Sequence, residues 1–313
     1  MESLSQNDVG AIESPVLAID IGGTHVRVAL FDPVMRAHRE IPTLAADGAE
    51  TVLRRLHHLV QPWIQSRSIR GVAVATAGQV NPQSGRVVDA TQNLPGFRGL
   101  DLARQLRSWF APSMAPPILI ENDVNAALAA EAMARPNVSS LIVLALGTGV
   151  GGALMIDGHI VHGAHYFAGE LGHMILHPHG RPCNCGQTGC LEQYVSGPGL
   201  LLTARQYYAP LQSPEDLFLS LAQGEPWARD AVNQFAEDLG LALTSLVNVI
   251  DPDLVVLAGG LTTTHAHWAE RLTTSIRGLS RKAIPLAYTK FGQDSPLIGV
   301  VELFRQRYLV PPR

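Results

Sequence analysis

SPVLAIDIGGTHVRVALFD (14–32) and SSLIVLALGTGVGGALMIDGHIV (139–161) are built on one plan. Each runs from an apolar strand through a glycine-rich turn into a second strand of alternating character, which reads as a β-hairpin. A hairpin module that returns later in the chain predicts two domains of related architecture. Between the two copies, RGVAVAT (70–76) and PILIE (117–121) read as short buried strands. A helical pattern over 123–134 places Val124, Ala127, Leu128 and Ala132 on one side. Farther on, Phe235, Leu239, Ala242, Leu246 and Val249 recur at spacings of three or four over a helix of 228–250. Asp251–Pro252 stops that helix, and DLVVLAGG (253–260) reads as a buried strand. Strands alternating with helices define an α/β class. The domain boundary is expected near residue 120: a small lobe of 1–120, completed by a C-terminal helix over 295–313, and a larger lobe of 121–294.

A chain of 313 residues, 46% hydrophobic and 16% charged, is long enough for a core in each of two domains. Its longest apolar runs, such as LIVLAL (141–146), are far short of the roughly 20 residues that a bilayer span requires. MESLSQNDVGAIESP (1–15) is polar, without a basic-then-apolar leader. The expectation is a cytoplasmic protein with no membrane partner. The 23 basic and 27 acidic residues give a net charge of −4 with no basic stripe, which argues against nucleic acid as the partner.

The glycine turns carry the first chemistry. In Asp20-Ile-Gly-Gly-Thr24, Gly22 and Gly23 let the backbone approach an anion, so that successive amides cradle phosphate oxygens. Thr24 adds a hydroxyl, and Asp20 at the strand end is a candidate holder of Mg²⁺, through water. Gly147, Thr148 and Gly149 in Gly147-Thr-Gly-Val-Gly-Gly152 offer the same chemistry, and Gly259-Gly260 forms a third turn suited to a nucleotide base or sugar. Any one of these could be a tight hairpin turn and nothing more; two Asp/Thr/Gly hairpins together point to ATP. The Walker lysine motif is missing, so this is not a P-loop protein.

Glu121-Asn122-Asp123 closes one strand and opens a helix. A carboxylate placed there can accept the proton of an attacking hydroxyl, which with positioning is most of what phosphoryl transfer asks of a protein. Asn and Asp are equally at home as helix caps. Asp123 is the candidate base and Asn122 a candidate sugar ligand. All three cysteines, Cys183, Cys185 and Cys190, fall on one short glycine-containing loop. An odd cluster of thiols in a reducing compartment indicates a metal, and a structural Zn²⁺ takes a fourth ligand such as histidine. His173, His177 and His179 are all near enough, and spacing does not choose among them. Glu170 and Glu192 bracket the loop and could accept hydroxyl hydrogens from a sugar.

Asp20-Ile-Gly-Gly-Thr24, Asn93-Leu-Pro-Gly-Phe97, Glu121-Asn-Asp-Val-Asn125, Gly147-Thr-Gly-Val-Gly-Gly152, Gly169-Glu-Leu-Gly-His173 and Cys183-Asn-Cys-Gly-Gln-Thr-Gly-Cys-Leu-Glu192 follow one another in the order of the ROK family of repressors, uncharacterised frames and kinases, which the chain resembles over about 17–260. The resemblance implies an actin-like (ribonuclease H-like) two-lobed ATPase fold, with ATP and sugar in the cleft between lobes. It implies Asp123 as general base, and Asn93, Asn122, Glu170, His173 and Glu192 as sugar contacts. It assigns the zinc ligands to His173, Cys183, Cys185 and Cys190, leaving the other ring nitrogen of His173 to donate to substrate. The expected activity is transfer of the γ-phosphoryl group of ATP to the 6-hydroxyl of glucose or an N-acetylhexosamine, by a homodimer or homotetramer. The loop Thr76-Ala-Gly-Gln-Val80 resembles members assigned to N-acetylmannosamine more than the glucose kinases. A repressor of the family would carry a winged helix-turn-helix ahead of the first hairpin, where about fifteen residues stand here. A non-catalytic sensor would be marked by loss of Asp123 or of the first glycine turn, and both are present.

Overall fold

The computed structural model describes residues 15–91, 93–280 and 283–310. The leader reading at residues 1–14 and the last three positions of the expected C-terminal helix lie outside them. The chain forms two compact units: one runs to Met133 and resumes at Asp294, and the other is Ala134–Gln293.

In the first unit the quoted hairpin is β1 (Val16–Ile21) and β2 (His25–Phe31), extended by β3 (Met35–Pro42) into an antiparallel meander. Helix α1 (Gly48–Ser66) then crosses to β4 (Gly71–Thr76), which lies parallel to β1. A small hairpin of β5 (Gln79–Asn81) and β6 (Arg86–Asp89) and the short α2 (Leu102–Arg107) lead to β7 (Ile118–Asn122), parallel to β4. Helix α3 (Asp123–Met133) follows without a loop. The sheet order is β3-β2-β1-β4-β7. Because strand side chains alternate faces, Leu17, Ile19 and Ile21 join Val72 and Val74 in a core with Leu56 and Val60 of α1. The opposite face presents Val16, Ala18, Ala73 and Ala75 to a second core.

The second unit repeats the arrangement. Strands β8 (Leu141–Leu146), β9 (Val150–Ile156) and β10 (His159–Ile160) form the meander. Residues 161–191 contain no strand beyond isolated bridges. Four helices follow: α4 (Glu192–Val195), α5 (Gly197–Tyr207), α6 (Pro214–Ala222) and α7 (Pro226–Ile250). Strand β11 (Leu254–Ala258) lies parallel to β8, and after α8 (Ala269–Leu279) the short β12 (Leu286–Tyr288) lies parallel to β11. The order β10-β9-β8-β11-β12 matches that of the first sheet position for position, so the likeness of the two hairpins extends to whole sheets.

Helix α9 (Ser295–Tyr308) returns to the first unit and packs on α3 and on the alanine-rich face of its sheet. Small residues set that approach: a Cβ on Gly299 would lie 1.7 Å from the Ala126 carbonyl oxygen, and one on Gly71 1.9 Å from the Phe304 ring. Covered by α9 and by its own sheet, α3 is buried continuously from Asn125 to Glu131 rather than along one stripe. Val249 also departs from expectation. It is 80% exposed, because in the last turn of α7 contact with the core passes to Val247 and Ile250. Asp251 ends that helix in the left-handed conformation, at φ 51°. No helix among the described residues is long and apolar enough to cross a membrane.

Candidate active site

The first glycine turn joins β1 to β2 and is fastened from behind by Thr43. Its buried hydroxyl donates to the Gly22 carbonyl at 2.7 Å, and its amide donates to the Thr24 carbonyl at 2.8 Å. Thr24 is exposed, and Asn93 stands against Gly23, its Cβ 3.4 Å from where a Gly23 side chain would begin. Asp20 is 3% exposed, and Arg27 Nη2 and Nε donate to its Oδ2 at 2.5 and 3.1 Å. Burial raises the Asp20 pKa, and the attraction and hydrogen bonding of Arg27 oppose the rise. Sequence reasoning overlooked Arg27, although the signal was there: a tight turn between two strands pairs residue 20 with residue 27 in register.

At the end of β7, Glu121 is buried and accepts from Asn125 Nδ2 at 3.0 Å. Asn122 does the work of a helix cap, its Oδ1 accepting from the Val124 and Asn125 amides at 2.9 and 3.0 Å. Its Nδ2 donates to the Gly78 carbonyl and to Asp123 Oδ1 at 2.9 and 3.1 Å. Asp123 Oδ1 also accepts from the Val124 amide at 2.9 Å. A half-buried carboxylate is thereby held in one orientation at the N-terminus of α3.

In the second unit, the thiols of Cys183, Cys185 and Cys190 and a ring nitrogen of His173 lie within 4.8 Å of one another. Cys185 Sγ is 3.6 Å from Cys190 Sγ, and Cys183 Sγ is 3.7 Å from His173 Nδ1. Zinc–sulfur bonds of about 2.3 Å in a tetrahedron require sulfur atoms about 3.8 Å apart, so the four groups fit a zinc ion. Burial and the neighbouring Cys185 and Cys183 thiols push the Cys190 thiol up to about 12; three thiolates at this spacing need a cation between them. His177 belongs elsewhere, its Nε2 2.8 Å from Asp238 Oδ1, and His179 is not among the clustered groups. The second ring nitrogen of His173 faces Glu170, with Nε2 3.6 Å from Oε2. The nitrogen expected to donate to substrate thus lies beside one of the two carboxylates that bracket the loop.

Glu192 opens α4, and its Oε2 accepts from the Val150 amide at 2.9 Å. A Cβ on Gly149 would meet the same oxygen at 2.5 Å, and the Gly197 amide donates to the Gly147 carbonyl at 2.8 Å. The chain just beyond the cysteines thus holds the second glycine turn. That turn borders a cavity of about 720 Å³, lined by Gly147, Thr148, Gly197 and Gly260 together with the apolar Leu201, Phe218 and Leu261. Glycine backbone and apolar side chains together, around a volume within the usual range for small ligands, suit a nucleotide. The apolar residues were not among those singled out from the sequence, because they carry no chemistry of their own. Gly259, at φ 85°, has no room for a side chain, since a Cβ would lie 2.3 Å from the Leu146 carbonyl oxygen. Gly259→Ala is expected to lose about 1–3 kcal/mol from the backbone conformation alone, since φ 85° with ψ 169° is a region that only glycine readily adopts, read as a Tm lower by several degrees. An unchanged Tm would show that the turn relaxes freely.

The ROK family model matches residues 16–307. The chain is 33% identical over 288 residues to an N-acetyl-D-glucosamine kinase of Citrobacter koseri, covering 86% of this chain and 90% of that one. It is 30% identical to an N-acetylmannosamine kinase of Salmonella typhi, over 92% of this chain and 97% of the other. The ROK hexokinase structure from Thermus thermophilus superposes with a TM-score of 0.78 at 29% identity, covering 93% of this chain and 99% of that one.

Proposed function

The chain belongs to the ROK family, and on that premise we propose that it is an ATP-dependent sugar kinase whose acceptor is the 6-hydroxyl of an N-acetylhexosamine. The observation that carries this reading is the fastened carboxylate of Asp123, held through Oδ1 by the Val124 amide and Asn122. Kinase chemistry requires positioning, charge stabilisation and one acceptor for the hydroxyl proton. Asp123 takes the proton of the 6-hydroxyl as that oxygen attacks the γ-phosphorus and the bond to the β-phosphate oxygen breaks. The Gly22 and Gly147 amides close their own turns on the His25 and Gly149 carbonyls, which leaves the amides of Gly23 and Thr24 and of Thr148 and Gly149 to donate to phosphate oxygens. Asp20, already paired with Arg27, is the residue that would hold Mg²⁺, and the ion would supply charge neutralisation on the transferring group. Glu170, His173 and Glu192, with Asn93 and Asn122, contact sugar hydroxyls. His173, Cys183, Cys185 and Cys190 hold a zinc ion whose role is structural, because four protein ligands leave no position open for chemistry.

The curated relatives named above, acting on N-acetylglucosamine and N-acetylmannosamine, support an acetamido sugar over glucose. The test is coupled ADP release with MgATP across glucose, N-acetylglucosamine, N-acetylmannosamine and N-acetylgalactosamine. Turnover on one or both of the first two acetamido sugars, exceeding that on glucose, is the expected result. Greater turnover on glucose would overturn the substrate assignment, and none on any sugar by folded, zinc-loaded protein would overturn the kinase.

A further inference from the structure

Asp238 lies in the middle of α7 and is 4% exposed. Its helix neighbours Phe235, Ala236, Leu239 and Ala242 are all buried and apolar, and burying a carboxylate there costs several kcal/mol that an apolar residue would not. Nothing in the phosphoryl-transfer chemistry uses it. Its Oδ1 meets His177 Nε2 at 2.8 Å and accepts from Gln234 Nε2 at 3.3 Å. His177 stands at the start of the cysteine loop, yet the cluster of metal ligands does not include it. The pair forms part of the wall of a cavity of about 510 Å³ that Arg181 and Tyr194 also line.

The loop is otherwise poorly anchored. From residue 175 to 189, Cys183 is the one fully buried side chain larger than hydrogen. What holds its first limb is a small set of bonds centred on His177 and Arg181. The His177 ring packs edge-on against Tyr194 with centroids 4.5 Å apart. Arg181 lies 4.7 Å over that ring, and its amide donates to the Tyr194 hydroxyl at 2.8 Å. Its guanidinium donates to the carbonyls of Gln193 and Gly199 at 2.7 and 3.0 Å and to Thr203 Oγ1 at 3.0 Å. The same limb is bonded to the returning one, since the amides of Leu176 and His177 both donate to the Gly189 carbonyl. Glu192, next to the residue that Arg181 grips, begins α4, and His173 stands four positions before His177.

We propose that Asp238, acting through His177, is a positioning residue for the sugar-binding wall, a second fastening that fixes the cysteine loop on α7 independently of zinc. This rests on the kinase reading above. Zinc would tie His173 to the cysteines, and Arg181 holds the loop on α4 and α5. The His177–Asp238 bond adds a fastening on α7, and with it narrows the error in where Glu170, His173 and Glu192 meet the sugar.

The experiment is sugar and ATP kinetics of Asp238→Leu, Asp238→Asn, His177→Ala and the Leu/Ala double variant, with zinc content measured for each. Asp238→Leu is expected to raise KM for the sugar about 10–100-fold, the order of loss that a misplacement of about 1 Å in a binding site produces. The zinc content should stay at the wild-type value, and KM for ATP should change much less than KM for the sugar. Asp238→Asn, which can still accept from His177, should recover most of the loss. His177→Ala should reproduce it, with the double variant no worse than either single one. A folded Asp238→Leu with unchanged sugar KM would overturn the proposal, as would sugar and ATP KM rising together. Should Asp238→Leu fail to fold, His177→Ala decides, because its side chain is 40% exposed. If wild-type protein turns over no sugar, the kinase reading fails on its own. The positioning claim is then judged by calorimetric sugar affinity of the same variants.

Discussion

Asp123→Asn is expected to lower kcat by about 10²–10⁴-fold, the contribution of a positioned general base, while KM for the sugar changes little. Geometry makes this substitution informative. Asp123 Oδ1 accepts from the Val124 amide and from Asn122 Nδ2, and an asparagine oxygen can accept both bonds. The cap on α3 and the course of β7 into it therefore survive, and the lost quantity is the ability to take a proton. Coupled ADP-release kinetics with saturating MgATP measures the effect, and a thermal unfolding curve close to wild type confirms that the fold is intact. A variant with near-normal kcat would remove Asp123 from the role of base. Glu121 would not replace it, since that carboxylate is buried and bonded to Asn125.

Removing the metal should produce the second large effect, and it should fall on the sugar rather than the nucleotide. Cys185→Ser is expected to lose the zinc and to weaken sugar binding about 10–100-fold. Structural zinc sites supply roughly 10–16 kcal/mol of apparent binding energy in small peptides, and the segment 175–189 has almost no core to replace it. The cavity at Gly147, Thr148, Phe218 and Gly260 is built mostly from elements with their own apolar contacts and feels the loop only through Glu192 and Gly197 on the glycine turn, so nucleotide affinity should fall much less than sugar affinity. Zinc content, calorimetric titration with sugar and with a non-hydrolysable ATP analogue, and proteolytic sensitivity between residues 178 and 189 together separate these effects. A metal-free protein that binds sugar as wild type does would show that the loop stands without its ion.

Much of this protein was legible in the residues alone, and the parts that were not share a cause. Local patterns identified the two glycine hairpins, the long helix ended by Asp251–Pro252, and a three-thiol metal loop, because each depends on neighbours within a few positions. The ROK motifs, read in order, carried the family and the fold, and they singled out His173, a ring nitrogen of which lies within 4.8 Å of the three thiols. Spacing by itself could not have chosen that histidine. His177 is nearer in sequence to the cysteines, and what takes it away is Asp238, 61 positions later on α7. Strand order was equally out of reach of periodicity, since β4 and β11 pair with strands far back in the chain. Side chains with two possible roles also waited for the tertiary structure: Asn122 turned out to cap α3, and Asp20 to be paired with Arg27. Composition and local pattern decided which elements form and which chemistry the chain carries. Only packing between distant segments decided which donor meets which acceptor, because a hydrogen bond or a metal ligand is chosen by position in space within a few tenths of an ångström, and sequence spacing does not set that.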